Sequence, residues 1–129
     1  MRIKKSDHES IALARDILLK NLRYHITIRQ LAERVGLSES KLKYAFKEIT
    51  GFGVYGYLTK IRMEKAKQLL EESDKTIKEV ASLTGYKRIT SFIKVFRKIY
   101  DTSPAAWRKH QLVVVLLLVP LLQGYCSSR

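Results

Sequence analysis

The sequence predicts an all-α fold in which one short helical unit occurs twice, on either side of a longer helix. Apolar residues recur at about 3.6-residue spacing along most of the chain, as in amphipathic helices. Among its 129 residues are only two prolines and six glycines, which leaves few positions for long loops. A corner motif centred on Gly36 occurs again at Gly85.

The first helix is predicted to span residues 9–24. Its inward-facing residues share a helical period: Ile11, Leu13, Ala14, Ile17, Leu18 and Leu22. Thr27 and Gln30 have the spacing of a capping box at the start of a second helix, and Gly36 ends that helix. Ser38 is a suitable N-cap for a third helix. The residues that this third helix buries are expected to be Leu42, Ala45, Phe46 and Ile49.

A longer helix follows over residues 54–72, with a predicted length of roughly 28 Å. Thr76 and Glu79 then form a second capping box before Gly85. Four pairs are each 49 residues apart: Ile28 and Ile77, Leu31 and Val80, Ala32 and Ala81, Gly36 and Gly85. Two more pairs are 50 apart: Leu42 and Phe92, Phe46 and Phe96. Such a periodic duplication indicates one compact unit used twice.

The net charge restricts the class of partner. A formal charge of +13 on so small a chain favours a polyanion, either nucleic acid or an anionic membrane surface. A basic surface that only maintains solubility is the alternative. The single Cys126 can form no internal disulfide and fits a reducing cytoplasm. The N-terminus has neither the apolar core nor the cleavage site of a secretory signal.

A glycine-containing corner between two short helices is typical of the helix-turn-helix motif, whose second helix enters the major groove of DNA. Most outward residues of the two second helices are polar or basic. They are Glu39, Ser40, Lys43, Tyr44 and Lys47 in the first copy, and Arg88, Ile89, Thr90, Ser91, Lys94 and Lys98 in the second. Lysine and arginine can donate to guanine or phosphate, and an aliphatic group can contact a thymine methyl. These faces could instead be merely solvated, although Tyr44 and Ile89 have no obvious core to join.

Two copies on one chain predict a particular mode of binding. Successive major grooves lie roughly 34 Å apart on one face of B-DNA. A helix of roughly 28 Å with its flanking turns could hold two recognition helices at about that spacing. We therefore expect a monomer to bind an asymmetric site of about two turns.

Four stretches between residues 26 and 110 resemble the DNA-binding domain of the AraC/XylS family of bacterial transcriptional regulators. They are LAERVGLSESKLKYAFKEITG, YLTKIRMEKAKQLL, IKEVASLTGY and SFIKVFRKIYDTSPAAWR. The resemblance implies about seven helices, arranged as two homeodomain-like helix-turn-helix subdomains joined by a long linker helix. The stretch KLKYAFKEITGFGVYGYL is most similar to the siderophore-responsive branch. Two departures from the family pattern are Gly53-Val54 at the start of the linker helix and Asp101 before the Ser-Pro turn.

The resemblance also implies which residues contact DNA. The base-contacting positions of the family fall on Ser40, Lys43, Tyr44, Ile89, Thr90, Ser91 and Lys94. The expected contacts to the DNA backbone are Glu39, Lys41, Lys47, Arg88 and Lys98. Double-stranded DNA is the expected partner, with RNA polymerase as a further one, and the expected location is the cytoplasm, associated with the bacterial nucleoid.

The sequence predicts the following division of the chain: a disordered N-terminal segment 1–8, a first subdomain 9–52, a linker helix 53–73, a second subdomain 74–111 and an apolar tail 112–129. Most family members carry an effector-binding domain, for which the residues before the first motif are too few. A stand-alone regulator and a DNA-binding remnant of a longer protein are both open.

The tail, QLVVVLLLVPLLQGYCSSR, has eleven apolar residues from Leu112 to Leu122. This is shorter than the about 20 residues that a membrane span needs. Three interpretations are open: docking on the domain as extra core, anchoring to a membrane or partner, and non-native sequence.

No enzymatic activity is expected. His8, His25 and His110 have no metal-ligand spacing, no nucleophile motif is present, and neither a cofactor nor a metal is predicted. The rival function is a membrane-surface or protein-interaction module that uses the basic charge and the apolar tail.

Overall fold

The computed structural model describes residues 2–127, with side chains to Leu118, and the regular secondary structure in this part of the chain is helical. Seven helices follow one another between these limits, and no strand is present among them. They are α1 (Lys5–Lys20), α2 (Ile28–Val35), α3 (Glu39–Thr50), α4 (Val54–Glu72), α5 (Ile77–Leu83), α6 (Ile89–Tyr100) and α7 (Pro104–Ser127). The predicted all-α class with two helix-turn-helix units, α2–α3 and α5–α6, is confirmed.

The start of α1 differs from the sequence prediction. The helix begins at Lys5 instead of Glu9, so residues 5–8 are helical where disorder was expected. The cause is Asp7, whose carboxylate accepts a hydrogen bond of 2.7 Å from the Lys4 backbone N–H and so satisfies a free donor at the helix end. Met1 lies outside the described residues.

The end of α1 also differs. The helix stops at Lys20, before the predicted Tyr24, because the Asn21 side chain donates to the Ile17 carbonyl at 2.7 Å and the Asn21 backbone leaves the helical conformation. Leu13 was expected to face inward but is 46% exposed. It lies outside the stripe that α1 buries, which consists of Ile11, Ala14 and Leu18.

The predicted caps are confirmed in both repeats. The Thr27 hydroxyl accepts from the Gln30 N–H at 3.1 Å, and the Gln30 side chain accepts from the Thr27 N–H at 3.0 Å. Thr76 and Glu79 make the same pair of bonds, at 3.1 and 3.3 Å. Ser38 caps α3 through the Lys41 N–H at 3.1 Å. The leading helix of each repeat therefore begins with a capping box, and α3 has a side-chain cap of its own. A typical cap contributes about 1 kcal/mol.

The chain consists of two compact units, and the boundary between them falls within α4. The first unit contains α1, α2, α3 and α4 up to Glu64, together with the short segment Leu83–Gly85. The second unit contains α4 from Lys65, α5 up to Ser82, α6 and α7. The predicted division at residues 52 and 73 stays a prediction. The predicted linker helix corresponds to α4, which contributes residues to both units.

The core of the first unit forms where α1, α2, α3 and the first half of α4 pack together. Its fully buried members are Ile11, Ala14, Leu31, Leu42, Ala45 and Phe46. The Phe46 ring meets the Tyr57 ring edge-on, with centroids 5.2 Å apart. The Arg15 side chain donates to the Tyr57 hydroxyl at 3.1 Å, so this buried tyrosine keeps a polar partner.

Aromatic rings form the core of the second unit. Phe92 and Phe96 are fully buried, and the Phe96 ring has neighbours at 5.9 Å in Phe92, 4.7 Å in Tyr100 and 6.2 Å in Trp107. The Trp107 indole N–H donates to Glu71 at 3.2 Å. The Arg108 guanidinium donates to the carbonyls of Leu70 at 3.2 Å and Ser73 at 3.3 Å. The Trp-Arg pair therefore attaches α7 to the end of α4.

Asp101, which stands where the family usually has glycine, adopts a left-handed backbone with φ of 57°. Aspartate is among the few residues that tolerate this region. The N–H of Asp101 donates to the Arg97 carbonyl at 2.8 Å and ends α6. This departure from the family pattern leaves the turn intact.

The tail continues α7 as far as Ser127. Among the tail residues whose side chains are described, Leu112, Leu116 and Leu117 are 58%, 64% and 67% exposed. This part of the tail therefore does not pack on the domain as extra core. Its end, including the side chains of residues 119–129, lies outside the described part. Among the described residues, no helix combines the length and apolarity that a membrane crossing requires.

Candidate nucleic-acid interface

The first candidate contact face lies on α3 and consists of Ser40, Lys43 and Tyr44. Gly36 has a left-handed backbone with φ of 72°, which turns the chain sharply out of α2. The opposite face of α3 is buried through Leu42, Ala45 and Phe46. Ser40, Lys43 and Tyr44 are consequently exposed, and Tyr44 keeps 38% of its surface accessible.

Three residues of α3 are predicted to contact the DNA backbone. Glu39 and Lys47 are exposed, whereas Lys41 is partly buried and its side chain is directed to the start of α1. The Lys41 ammonium lies 3.2 Å from the Asp7 carboxylate and also donates to the Arg2 carbonyl. Its side chain is only 21% exposed. Lys41 thus joins α3 to the start of α1, and its expected contact with DNA phosphate stays a prediction.

The Asp7–Lys41 pair predicts an acid-dependent loss of stability. The hydrogen bond from the Lys4 N–H, with a further contribution from Lys41, holds the pKa of Asp7 below its usual value near 3.8, against the opposing effect of burial. A carboxyl whose pKa is lowered by folding stabilises the fold above the pKa of the unfolded chain and loses that contribution as the pH falls through the native pKa. We expect wild-type thermal stability to fall more steeply than that of Asp7→Asn below about pH 4.

Thermal melts between about pH 6 and pH 3 measure this difference. Asp16→Asn is the control, because the Asp16–Lys20 pair on the same helix is exposed. Exposed pairs contribute about 0–1 kcal/mol, so this variant should follow the wild type. Parallel curves for the wild type and Asp7→Asn would contradict the assignment.

The second candidate contact face lies on α6 and consists of Ile89, Thr90, Ser91 and Lys94. Phe92 and Phe96 bury the opposite side of the helix, so all four residues of the face are exposed. Ile89 keeps 39% of its surface accessible, as expected from its position outside the apolar stripe. Arg88, immediately before the helix, and Lys98, one turn beyond Lys94, are exposed as well.

A shallow depression beside this face brings in residues that the sequence analysis did not select. Its lining includes Arg88, Ile89 and Thr90 together with Lys87 and, from α5, Lys78. The signal for Lys78 was present in the repeat: it stands 49 residues after Arg29, so both copies have a cation at the first turn of their leading helix. The depression has the positive charge that a phosphate group requires.

The two faces occupy equivalent positions of the repeat and differ in chemistry. At a spacing of 50 residues, Ser40 corresponds to Thr90, and Tyr44 corresponds to Lys94. A hydroxyl is therefore kept at one position while an aromatic group is replaced by a cation at the other. The charge also differs at a third pair of equivalent positions, where the acidic Glu48 corresponds to the basic Lys98.

An exposed polar and basic helix face that follows a glycine corner defines the class of DNA-binding helix-turn-helix domains. The profile of the helix-turn-helix domain family matches residues 31–110, well over half of the chain. The chain belongs to this family, in its AraC type, and its relatives are AraC/XylS transcriptional regulators.

Individual relatives agree with this assignment. The xylose operon regulatory protein of Escherichia coli K12 is 34% identical over 91 residues, which are 70% of this chain and 23% of that protein. The chain thus spans less than a quarter of the length of that curated relative. The C-terminal domain of AraT, a response regulator from Geobacillus stearothermophilus, superposes with a TM-score of 0.75 at 30% identity, covering 85% of this chain and 88% of the other.

A further solved structure includes nucleic acid. The DNA-binding domain of AdpA, described as a global transcriptional factor in complex with a target DNA, superposes with a TM-score of 0.74 at 29% identity. The match covers 78% of this chain and 91% of the AdpA domain. These relatives are transcription regulators, in agreement with the expected class of function.

Proposed function

We propose that this chain binds double-stranded DNA sequence-specifically, with α3 and α6 entering successive major grooves, and thereby regulates bacterial transcription. The observation that carries the proposal is the presence of two exposed faces, Ser40–Lys43–Tyr44 and Ile89–Thr90–Ser91–Lys94, at equivalent positions of a repeated helix-turn-helix. Membership of the AraC-type family and the likeness to the DNA-bound AdpA domain support it.

The chemical difference between the faces favours an asymmetric site. Lys94 can donate to guanine N7 and O6, and Ile89 can contact a thymine methyl, whereas the equivalent of Lys94 in the first face is the aromatic Tyr44. Two faces of different chemistry select different base pairs. A single chain would therefore bind two unlike half-sites about one helical turn apart, in contrast to the palindrome that a symmetric dimer needs.

Selection from random duplexes tests the proposal directly. The bound pool should converge on one sequence that contains two unlike conserved blocks separated by about 10 base pairs. Binding should weaken steeply with salt, because phosphate contacts release counterions. A pool without a preferred sequence would indicate nonspecific coating. Competition by anionic lipid vesicles would favour the membrane-surface alternative, to which the exposed residues Leu112–Leu118 could contribute.

Lys94→Ala tests a single base contact. We expect affinity for the selected sequence to fall by about 1–3 kcal/mol while affinity for random duplex changes much less. Lys98→Ala, on the same helix at a predicted backbone position, is the matched control. It should weaken both duplexes equally and reduce the salt slope by about one. Equal losses on both duplexes for Lys94→Ala would remove Lys94 from the base-contacting set.

The regulatory context extends the proposal. RNA polymerase is the proposed second partner, and the proposed location is the bacterial cytoplasm, at the nucleoid, where the target DNA lies. The siderophore-responsive branch is supported only by the stretch KLKYAFKEITGFGVYGYL. The relative described above is named for a xylose operon, so the inducing signal is a separate question from DNA binding.

A further inference from the structure

The three residues before α1 and the first residue of that helix form a short basic arm, Arg2–Lys5, beside the first recognition helix. Three of its four residues are cations, Arg2, Lys4 and Lys5, and each is exposed. The fourth, Ile3, is partly buried against the core of the first unit. The arm therefore has one apolar residue that holds it to the domain and three charges directed to solvent.

A residue of α3 fixes the position of this arm. The Lys41 ammonium donates to the Arg2 carbonyl and pairs with Asp7 at 3.2 Å. Lys41 lies in the first turn of α3, next to Ser40 of the first contact face. The arm is thus within the reach of one lysine side chain from the end of α3 that would enter the groove.

The charge of the arm has no evident role in stability. The N-terminus of a helix carries a partial positive charge, so cations there are unfavourable. Asp7 is the single acidic residue between Arg2 and His8 and is already paired with Lys41. An external anion beside the arm would compensate this excess of positive charge.

We infer that the arm Arg2–Lys5 is an additional DNA-binding element that contacts backbone phosphates flanking the groove entered by α3. The inference rests on the proposed function, because it places the arm relative to DNA bound at α3. The arm contributes affinity without sequence preference, since phosphates are the same at every base pair. Lys41 serves it as a positioning residue, which explains why this lysine is turned away from the contact face.

A charge-matched pair of variants tests the arm. Arg2→Gln/Lys5→Gln removes one arginine and one lysine at the start of α1, and Lys20→Gln/Arg23→Gln removes the same charges at its other end. Lys5 and Lys20 are about 22 Å apart along the helix. For the arm variant we expect the slope of log affinity against log salt to become smaller by about 1.8, equally on the selected and on random duplexes. The slope of the control should equal that of the wild type.

Two results would overturn the inference that the arm binds DNA. One is an unchanged salt slope for Arg2→Gln/Lys5→Gln. The other is an equal reduction of the slope for Lys20→Gln/Arg23→Gln, which would indicate a general effect of net charge. Both variants change exposed side chains, and circular dichroism verifies that they fold. The proposed function fails separately, if the wild type does not distinguish the selected duplex from random duplex.

Discussion

Gly85→Ala is expected to destabilise the protein by about 2–5 kcal/mol, well beyond the loss from Gly36→Ala. Both glycines have positive φ, 93° at Gly85 and 72° at Gly36, so an alanine at either position costs about 1–2 kcal/mol in backbone conformation. A Cβ at Gly85 would lie 2.4 Å from the Leu22 carbonyl oxygen and 2.9 Å from the Arg62 guanidinium. Nothing lies within 4 Å of a Cβ at Gly36. Relieving such overpacking typically costs about 1–3 kcal/mol more.

Urea unfolding of the two variants at equal protein concentration measures the difference. The obstacle at Gly85 cannot easily move, because the Leu22 oxygen belongs to the backbone and Arg62 is only 8% exposed. Gly36→Ala is the matched control, since it changes the same position of the repeat with the same backbone requirement. Equal losses in the two variants would mean that the Leu22 contact is relieved at little cost and that conformation alone sets the effect.

This pair of glycines shows how far the sequence predicts the fold. Their equivalent positions in the repeat predicted that both end a short helix at a tight corner, and the structure confirms it. Sequence could not predict that Gly85 has a carbonyl against it and Gly36 does not. That difference depends on Leu22 and Arg62, which are distant in sequence and are brought to Gly85 only by folding.

The candidate site was predictable to a similar extent. Local periodicity was sufficient to predict that Tyr44 and Ile89 are exposed, because each lies outside the apolar stripe of its helix. The resemblance to the family placed Lys41 among the contacts to the DNA backbone and gave no sign of its pairing with Asp7, which depends on the packing of α1 against α3. The early start of α1 was missed for a related reason: Asp7 sits four residues before the first apolar residue of the stripe, so periodicity gives no signal there.

Phe96→Ala is expected to destabilise the second unit by about 3–5 kcal/mol, the usual cost of removing a buried phenylalanine ring. Phe96 is fully buried and is the ring that contacts Phe92, Tyr100 and Trp107. Its loss would leave a cavity between α6 and the start of α7. Since Trp107 and Arg108 attach α7 to α4, loosening this core should also increase the mobility of α6 and weaken DNA binding.

Calorimetry and duplex binding together test this prediction. Ile99→Ala, on the same helix, is the control, because Ile99 is 44% exposed and substitutions at exposed positions usually change stability by about 0.5 kcal/mol or less. The Phe96→Ala melt should shift to lower temperature, and the variant should lose more affinity for the selected duplex than Ile99→Ala does. Near-wild-type stability of Phe96→Ala would show that the remaining rings close the cavity. Because Phe46 is the equivalent buried ring of the first unit, Phe46→Ala should then be compared to learn whether the two cores tolerate the same loss.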